Sequence, residues 1–426
     1  MRGWRRSLTV LAAGLLLVGL PGCRDNDDQA APPPSPAPAD TVALSADLPA
    51  PLTIGVVVSL SAPPGEGAEW RDAAEGAEVA VRRFVLGGSQ VDLTVLNDKG
   101  TAQGATTAVQ TLLDRGVAGI VLASTGKHQA AGLAEASARG VPVLLPYADS
   151  AATLPDHSWL TGPDAKTTDA RLVQVLAKRG ATKPFLVNAG GGSVTGLDPI
   201  GTRIFRAGSD PTAIADALRR RLAAQPKAFD SVVVSGPAEL QAIMVRALRG
   251  ARLDVPLALT PEALSPTFPA TLHEADGSLS DPLLSTGLDE GDSTALQPSA
   301  RGRSLAAYFS ALQLTAADPT TKDFSGERPF TAVAGVADVR SHDAVVALVR
   351  AAAAAHSTDP AAVAAALSGL TLGAADGIAG PTLAFGTPVA VADDAVVALG
   401  STDQSPGLRP TTAADKPTLY WFPVPT

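Results

Sequence analysis

Residue types able to do covalent or acid–base chemistry are thinly spread over this chain of 426 residues. There is one cysteine, Cys23, and five histidines, His128, His157, His273, His342 and His356. No histidine stands in an HExxH or other paired spacing, so metal chemistry has no motif, and each reads as a surface or capping residue. A single cysteine excludes an internal disulfide and a thiolate metal site, and its place at position 23 argues against a thiol nucleophile. The run STGKH (124–128) has the tail of a phosphate loop, but Val121 stands where its first glycine belongs and His128 where a hydroxyl would hold magnesium. In GGGSVT (190–195), Thr195 takes the last glycine position of a G-x-S-x-G elbow. Asp and Glu are plentiful but isolated, the pattern of a solvated surface. The chemistry these residues support is therefore binding rather than catalysis, with no metal and no cofactor. Ser124 and Thr125 fall between a strand and a helix, where hydroxyls and free backbone N–H groups can receive an anion and where Thr125 can also cap the helix.

The elements that must position such residues alternate short apolar runs with amphipathic stretches, which predicts parallel sheets with crossover helices. Segments 52–59, 91–98, 117–124 and 141–146 read as buried strands, and 71–85, 101–115 and 127–139 as the helices between them. A second series runs through helix 166–180, strands 184–188 and 202–207, a helix with Ile214, Leu218 and Leu222, strand 229–235, helix 237–250 and strand 255–259. Beyond Leu283 the pattern predicts helices over 299–314, 341–355 and 359–369, then a strand-like, turn-rich end. About 375 residues from Leu52 onward exceed what one core usually holds, so two domains are expected.

The N-terminus carries a different message. Arg2, Arg5 and Arg6 precede an apolar stretch from Leu8 to Leu20, too short to span a ~30 Å hydrocarbon core and of signal-peptide length. Leu20, Pro21, Gly22 and Cys23 resemble the lipobox of bacterial lipoproteins, with Pro21 departing from the usual small residue. Residues 1–23 are accordingly expected to be a lipoprotein signal with lipidated Cys23 holding the chain at the membrane, outside the cytoplasm. An uncleaved anchor and an ordinary secretory signal are the alternatives. Residues 24–51, rich in Pro, Ala and Asp, read as a linker. Without the three signal arginines, 30 basic residues face 42 acidic ones, a net charge of −12. That balance argues against nucleic acid or an anionic membrane surface as partner.

Three features, GAEVAV (76–81), the L-x-x-x-G-V-x-x-I-V-L junction (112–122) and the G-V-P-V-x-x-P turn (140–146), resemble the first lobe of type I periplasmic solute-binding proteins, nearest the branched-chain amino acid binders. Weaker resemblance resumes at 244–264, 341–355 and 377–387. It implies an α/β fold of two doubly wound parallel-sheet lobes joined by a three-strand hinge, with 52–157 plus 285–370 as lobe 1 and 158–284 plus 371–426 as lobe 2. It further implies a monomer that binds an amino acid-like solute between the lobes and delivers it to an ABC permease. A sensor or accessory lipoprotein built on the same lobes is the alternative. By resemblance Ser124, Thr125, Tyr147 and Ala148 face a ligand carboxylate, Glu262 takes its ammonium, and Trp70 walls its side chain. Asp149 is a departure: beside a carboxylate it is repulsive, so either it caps a helix or the ligand is cationic there. The second lobe departs further. AGGGSVTGLDPIG (189–201) leaves little room for the helix the family places there, and Gly236 and Pro237 stand where it has an aromatic.

Overall fold

The computed structural model describes residues 41–280, 282–410 and 418–425. The signal-like segment, Cys23 and most of the linker lie outside the described residues, and 41–425 belong to one compact unit.

The first sheet comprises β1 (Leu52–Val58), β2 (Val91–Asn97), β3 (Ile120–Leu122), β4 (Val143–Leu145) and β5 (Ser158–Leu160) in the order β2-β1-β3-β4-β5, every pair parallel. Its crossovers are α1 (Gly76–Leu86), α2 (Ala102–Asp114) and α3 (Ala130–Ala138). The second sheet repeats the scheme. Helix α4 (Ala165–Lys178) leads to β6 (Pro184–Asn188), β7 (Thr202–Ile204), α5 (Pro211–Ala224), β8 (Ser231–Ser235), α6 (Ala238–Gly250), β9 (Leu257–Leu259), α7 (Thr267–Glu274) and β10 (Leu284–Leu288). These strands stand in the parallel order β7-β6-β8-β9-β10. The chain then returns to the first lobe through α8 (Asp292–Ala295), α9 (Ala300–Ala317), α10 (Val339–Ala355) and α11 (Pro360–Leu367), followed by a ribbon of β11 (Thr371–Leu372) and β12 (Leu383–Ala384). Two antiparallel strands, β13 (Val396–Thr402) on β10 and β14 (Tyr420–Pro423) on β13, finish the second sheet.

The central strands of both sheets are covered on both faces, which is why β1, β3, β4 and β8 read as apolar runs. In β1, Ile54, Val56 and Val58 join one core cluster while Val57 joins another. In β8, Val232 and Val234 face one cluster while Val233 faces the opposite one. Helix starts are fixed by side-chain caps: Thr101 for α2, Asp164 for α4, Asp210 before Pro211 for α5 and Asp338 for α10.

The structure corrects four expectations. The sequence pattern places no element at β10; its centre is Ser285-Thr286-Gly287, and the buried hydroxyls are satisfied by the Leu259 and Thr168 carbonyls. The lobes also exchange chain later than expected. Strand β5 pairs with β4 in the first sheet and β10 sits in the second, so the crossings run near 161–164, 289–291 and 392–395. Segment 371–391, assigned to lobe 2, packs through Leu372, Leu383, Phe385 and Ala390 on the first-lobe core. The linker ends earlier than Pro51, because Leu44 is buried in the first lobe and Val42, Ala46 and Leu48 pack beside it. The Arg83 guanidinium donates to the Val42 carbonyl at 2.8 Å, and Leu44 N donates to Arg83 O at 2.9 Å.

Candidate functional site

In an open parallel sheet the strand order reverses at one point, and the crevice beyond the C-terminal strand ends at that point is where loops diverge to admit a ligand. Here the reversals fall between β1 and β3 and between β6 and β8. The loops after these four strands line one cleft of about 930 Å³ between the lobes. The lobes touch at its mouth. Thr267 of the second lobe donates to the Glu69 carbonyl at 3.3 Å, and Gly65 packs so near Pro237 that a Cβ there would lie 3.0 Å from the proline ring.

The first-lobe wall is built from side chains. Trp70, in the turn Ala68–Trp70, stacks on Tyr147, with ring centroids 4.8 Å apart and planes 7° from parallel. Arg340, in the first turn of α10, brings its guanidinium carbon to 4.3 Å from the Trp70 centroid and 4.7 Å from that of Tyr147. The same guanidinium pairs with Asp338 at 3.3 Å and Glu290 at 3.7 Å. Tyr147 donates its hydroxyl to Asp338 at 2.9 Å. Burial, opposed by Arg340 and reinforced by Asp338 and Asp343, pushes the Glu290 carboxyl up to about 8.

Beside this wall a second network descends into the lobe. Ser124 is fully buried, and its hydroxyl pairs with that of Ser59 rather than facing the cleft. Ser59 donates to Asp98 at 2.6 Å. The other Asp98 oxygen meets His128 Nε2 at 3.0 Å, and His128 Nδ1 meets Glu66 at 3.2 Å on the cleft wall. Burial alone would lower the His128 pKa, but the hydrogen bonds and charges of Asp98 and Glu66 raise it. His342 is buried too, against Arg83 and Asp343, so two of the five histidines are interior rather than surface residues. Several carboxylates join them inside, among them Glu69, Glu75, Asp98 and Asp343.

The second-lobe wall is built from backbone and carboxylates. No helix lies between β6 and β7 among the described residues, as the glycine-rich loop predicts. Gly191 and Gly236 approach so closely that a Cβ on Gly191 would lie 2.6 Å from the Gly236 nitrogen. Glu262 sits in the turn Pro261–Leu264, touched by the Gln241 amide at 3.5 Å. Burial raises its pKa, Thr260 opposes, and Asp149 and Asp169 add to the rise.

Of the residues expected at the site, Trp70, Thr125, Tyr147, Ala148, Asp149 and Glu262 line the cleft and Ser124 does not. Thr125 is not a helix cap: its hydroxyl donates to Glu69 at 3.4 Å. Asp149 is not a cap either, since Asp164 caps α4 and Asp149 contributes only its carbonyl, to Ala165 N at 2.8 Å. Sequence reasoning missed Glu66, Glu69, Gln129, Asp169, Glu290, Asp338 and Arg340, and the Tyr420–Trp421 pair of β14, which returns aromatic surface to a cleft whose second-lobe loops carry none. A signal existed for Arg340 alone, directly before the family-like run at 341. Three buried atoms of lining residues, Gln129 Nε2, Ser265 Oγ and Asp292 Oδ2, have no partner within the protein. Among the described residues no group of three or more His, Cys, Asp or Glu is arranged to hold a metal, and no helix is long and apolar enough to cross a membrane.

The sequence model of a family described as periplasmic binding protein matches residues 51–390. Among solved structures, a type 1 periplasmic binding protein from Bordetella pertussis is 18% identical with a TM-score of 0.62, covering 88% of this chain and 100% of its own. The branched-chain amino acid transporter substrate-binding protein of Streptococcus pneumoniae, in complex with isoleucine, is 18% identical with a TM-score of 0.60, covering 83% and 96%. A solute-binding protein of an ABC transporter from Rhodopseudomonas palustris, in complex with 4-hydroxybenzoate, is 14% identical with a TM-score of 0.59, covering 88% and 98%. No curated protein matches the chain.

Proposed function

The chain belongs to the periplasmic binding protein family, and from that premise we propose that it is the substrate-binding lipoprotein of an ABC importer, capturing a small polar solute in the interlobe cleft. The observation that carries the reading is the cleft itself. It lies beyond the C-terminal ends of both parallel sheets, and the loops after β1, β3, β6 and β8, one pair from each lobe, line it together. Three chain crossings near the cleft provide the hinge that turns binding into lobe closure, the signal a membrane permease reads. The family is one of solute-binding receptors, and the proposal is accordingly of a receptor rather than an enzyme. Relatives of this fold carry isoleucine and 4-hydroxybenzoate, and the resemblance noted in the sequence makes an amino acid-like solute the starting class for this chain. Cys23 supplies the tether in this reading.

Thermal unfolding of the purified protein against a panel of amino acids, amides, amines, aromatic acids and short peptides tests the first part. A true ligand at 100 times its Kd adds ~2.7 kcal/mol. A panel with no stabilising compound would sink the solute-binding reading. Metabolic labelling with a palmitate analogue tests the tether: label should enter the chain and be lost in Cys23→Ser.

A further inference from the structure

The resemblance in sequence implies that hydroxyls near β3 and β4 receive a ligand carboxylate, but in this chain all three are already engaged. Ser124 is turned to Ser59, Thr125 donates to Glu69, and Tyr147 donates to Asp338. Two of those three acceptors are carboxylates, so the protein fills the anion's place with its own anions. Two of the three lining cations are spent as well. Arg340 is held between Asp338 and Glu290, and Arg409 pairs with Asp292 at 2.8 Å. Lys127 is exposed at the rim. Four lining carboxylates, Glu69, Asp149, Asp169 and Glu262, have no cationic partner among the described residues; they accept only from neutral groups such as Gly67 N, Thr195 N and the Gln241 amide, or from nothing. Asp149 comes from the first lobe and Asp169 and Glu262 from the second; the Asp149 charge adds to the rise that burial imposes on the other two carboxyls, and Asp169 adds to that of Glu262. Ser265, 1% exposed, also lines the cleft, and its hydroxyl has no partner within the protein. The remaining surface includes Ala130, Leu133, Leu264 and Leu288, which suits an alkyl body.

We infer that the cleft takes a cationic solute without a free carboxylate, an alkyl amine, diamine or guanidino-amine, whose charge is held between Asp149 of one lobe and Asp169 and Glu262 of the other. The inference rests on the solute-binding reading and narrows its ligand class. A cation there neutralises repulsion across the gap, so binding and closure are the same event, whereas a zwitterionic amino acid brings a carboxylate to a wall whose hydroxyls at Ser124, Thr125 and Tyr147 are engaged and whose lining already carries carboxylates without a cation.

The test is calorimetric titration and thermal unfolding of the purified protein with 1,4-diaminobutane, agmatine, L-leucine and 4-hydroxybenzoate at pH 7.5, at low and at 0.5 M salt. The two amines are expected to bind, with affinity falling at least tenfold in high salt. Asp149→Asn should weaken them about tenfold, and the Asp149→Asn/Asp169→Asn pair about a hundredfold. Both residues are partly or fully solvent-accessible, and an unchanged ligand-free unfolding midpoint verifies that the variants fold. Binding of L-leucine or 4-hydroxybenzoate with both amines silent overturns the charge inference and leaves the solute-binding reading standing. Silence toward all four compounds also overturns it, and the wider panel then decides the solute-binding reading separately.

Discussion

The two lobes share one strand order but finish their cleft edges in opposite ways. The first lobe fixes its edge with side chains: an aromatic stack locked by Arg340 and a hydrogen-bonded chain from Ser124 through Asp98 and His128 to Glu66. The second lobe fixes its edge with main chain, folding glycine loops against each other and leaving its carboxylates loosely held. Same topology therefore does not mean same wall. The aromatic wall of the first lobe is tied up in its own contacts, while a backbone wall with spare carboxylates needs a partner, so the proposed selectivity rests on charge held on the second lobe against Asp149 rather than on the aromatic pocket of the first.

The sharpest way to break the contrast is Arg340→Ala. The substitution leaves Glu290 and Asp338, each under a fifth exposed, without their cation and removes the group packed on Trp70 and Tyr147. Stripping one partner from a buried pair costs about 3–5 kcal/mol, and a fall of about 10 °C in Tm is expected by calorimetry. Arg340→Lys keeps the charge but not the planar fork and should recover only part of it.

Glu75 comes next. Phe324 N donates to one of its oxygens at 2.7 Å while the other has no partner, and burial, with Asp323, Asp72 and Glu78 adding to it, pushes its carboxyl up to about 9. A folded pKa above the unfolded one means that the native state holds a proton the unfolded chain has lost, so stability declines as pH rises from about 4.5 toward about 9. Glu75→Gln keeps the acceptor and removes the titration. Tm should rise by several degrees at pH 8 and stay unchanged near pH 4; a gain independent of pH would refute the assignment.

On the second lobe, Gly236→Ala addresses the backbone wall. Gly236 has φ +151°, and a Cβ would lie 2.4 Å from the Ala189 carbonyl. About 2 kcal/mol of destabilisation is expected, with a larger loss of ligand affinity than of stability because the β6 and β8 loops must separate. Equal loss in both would show that the glycines serve packing alone.

The fold was legible because the central strands of both sheets are buried on both faces: LTIGVVV and SVVVS announce themselves, and the loops between them are short. Strand β10 was not, since its core is Ser-Thr-Gly and burial is made possible only by carbonyls from β9 and α4 that sequence does not reveal. The docked stretch 42–48 did carry a signal, an alternation of Val42, Leu44, Ala46 and Leu48, masked by the Pro/Ala-rich composition around it. At the site, resemblance brought Trp70, Thr125, Tyr147, Ala148, Asp149 and Glu262 to the cleft. What it misassigned is direction: whether Ser124 points outward or inward depends on Ser59, 65 residues away in sequence. Asp169 is illegible for the same reason, as its role exists only once distant segments meet, and Arg340 has no signal beyond its place before the run at 341.

The smallest effect separates the titrating edge of the first lobe from the glycine edge of the second. His128 is held between buried Asp98 and half-exposed Glu66, and its pKa is raised above the ordinary histidine value. Stability from such a group is fully present below ~6.5 and is lost as pH rises through the higher folded value. In Glu66→Gln the Asp98 contact survives, so the imidazole should still titrate above its ordinary value but below that in the parent protein, by NMR. Because Glu66 is partly in water, the stability difference should stay under ~1 kcal/mol, be present in full below pH ~6.5 and fade as pH rises through the higher folded value. Ser193→Ala, in the second-lobe glycine loop, should leave both the His128 titration and the pH profile unmoved. If Glu66→Gln leaves the titration unchanged as well, Asp98 alone sets it, and the link from the buried network to the mouth of the cleft does not exist.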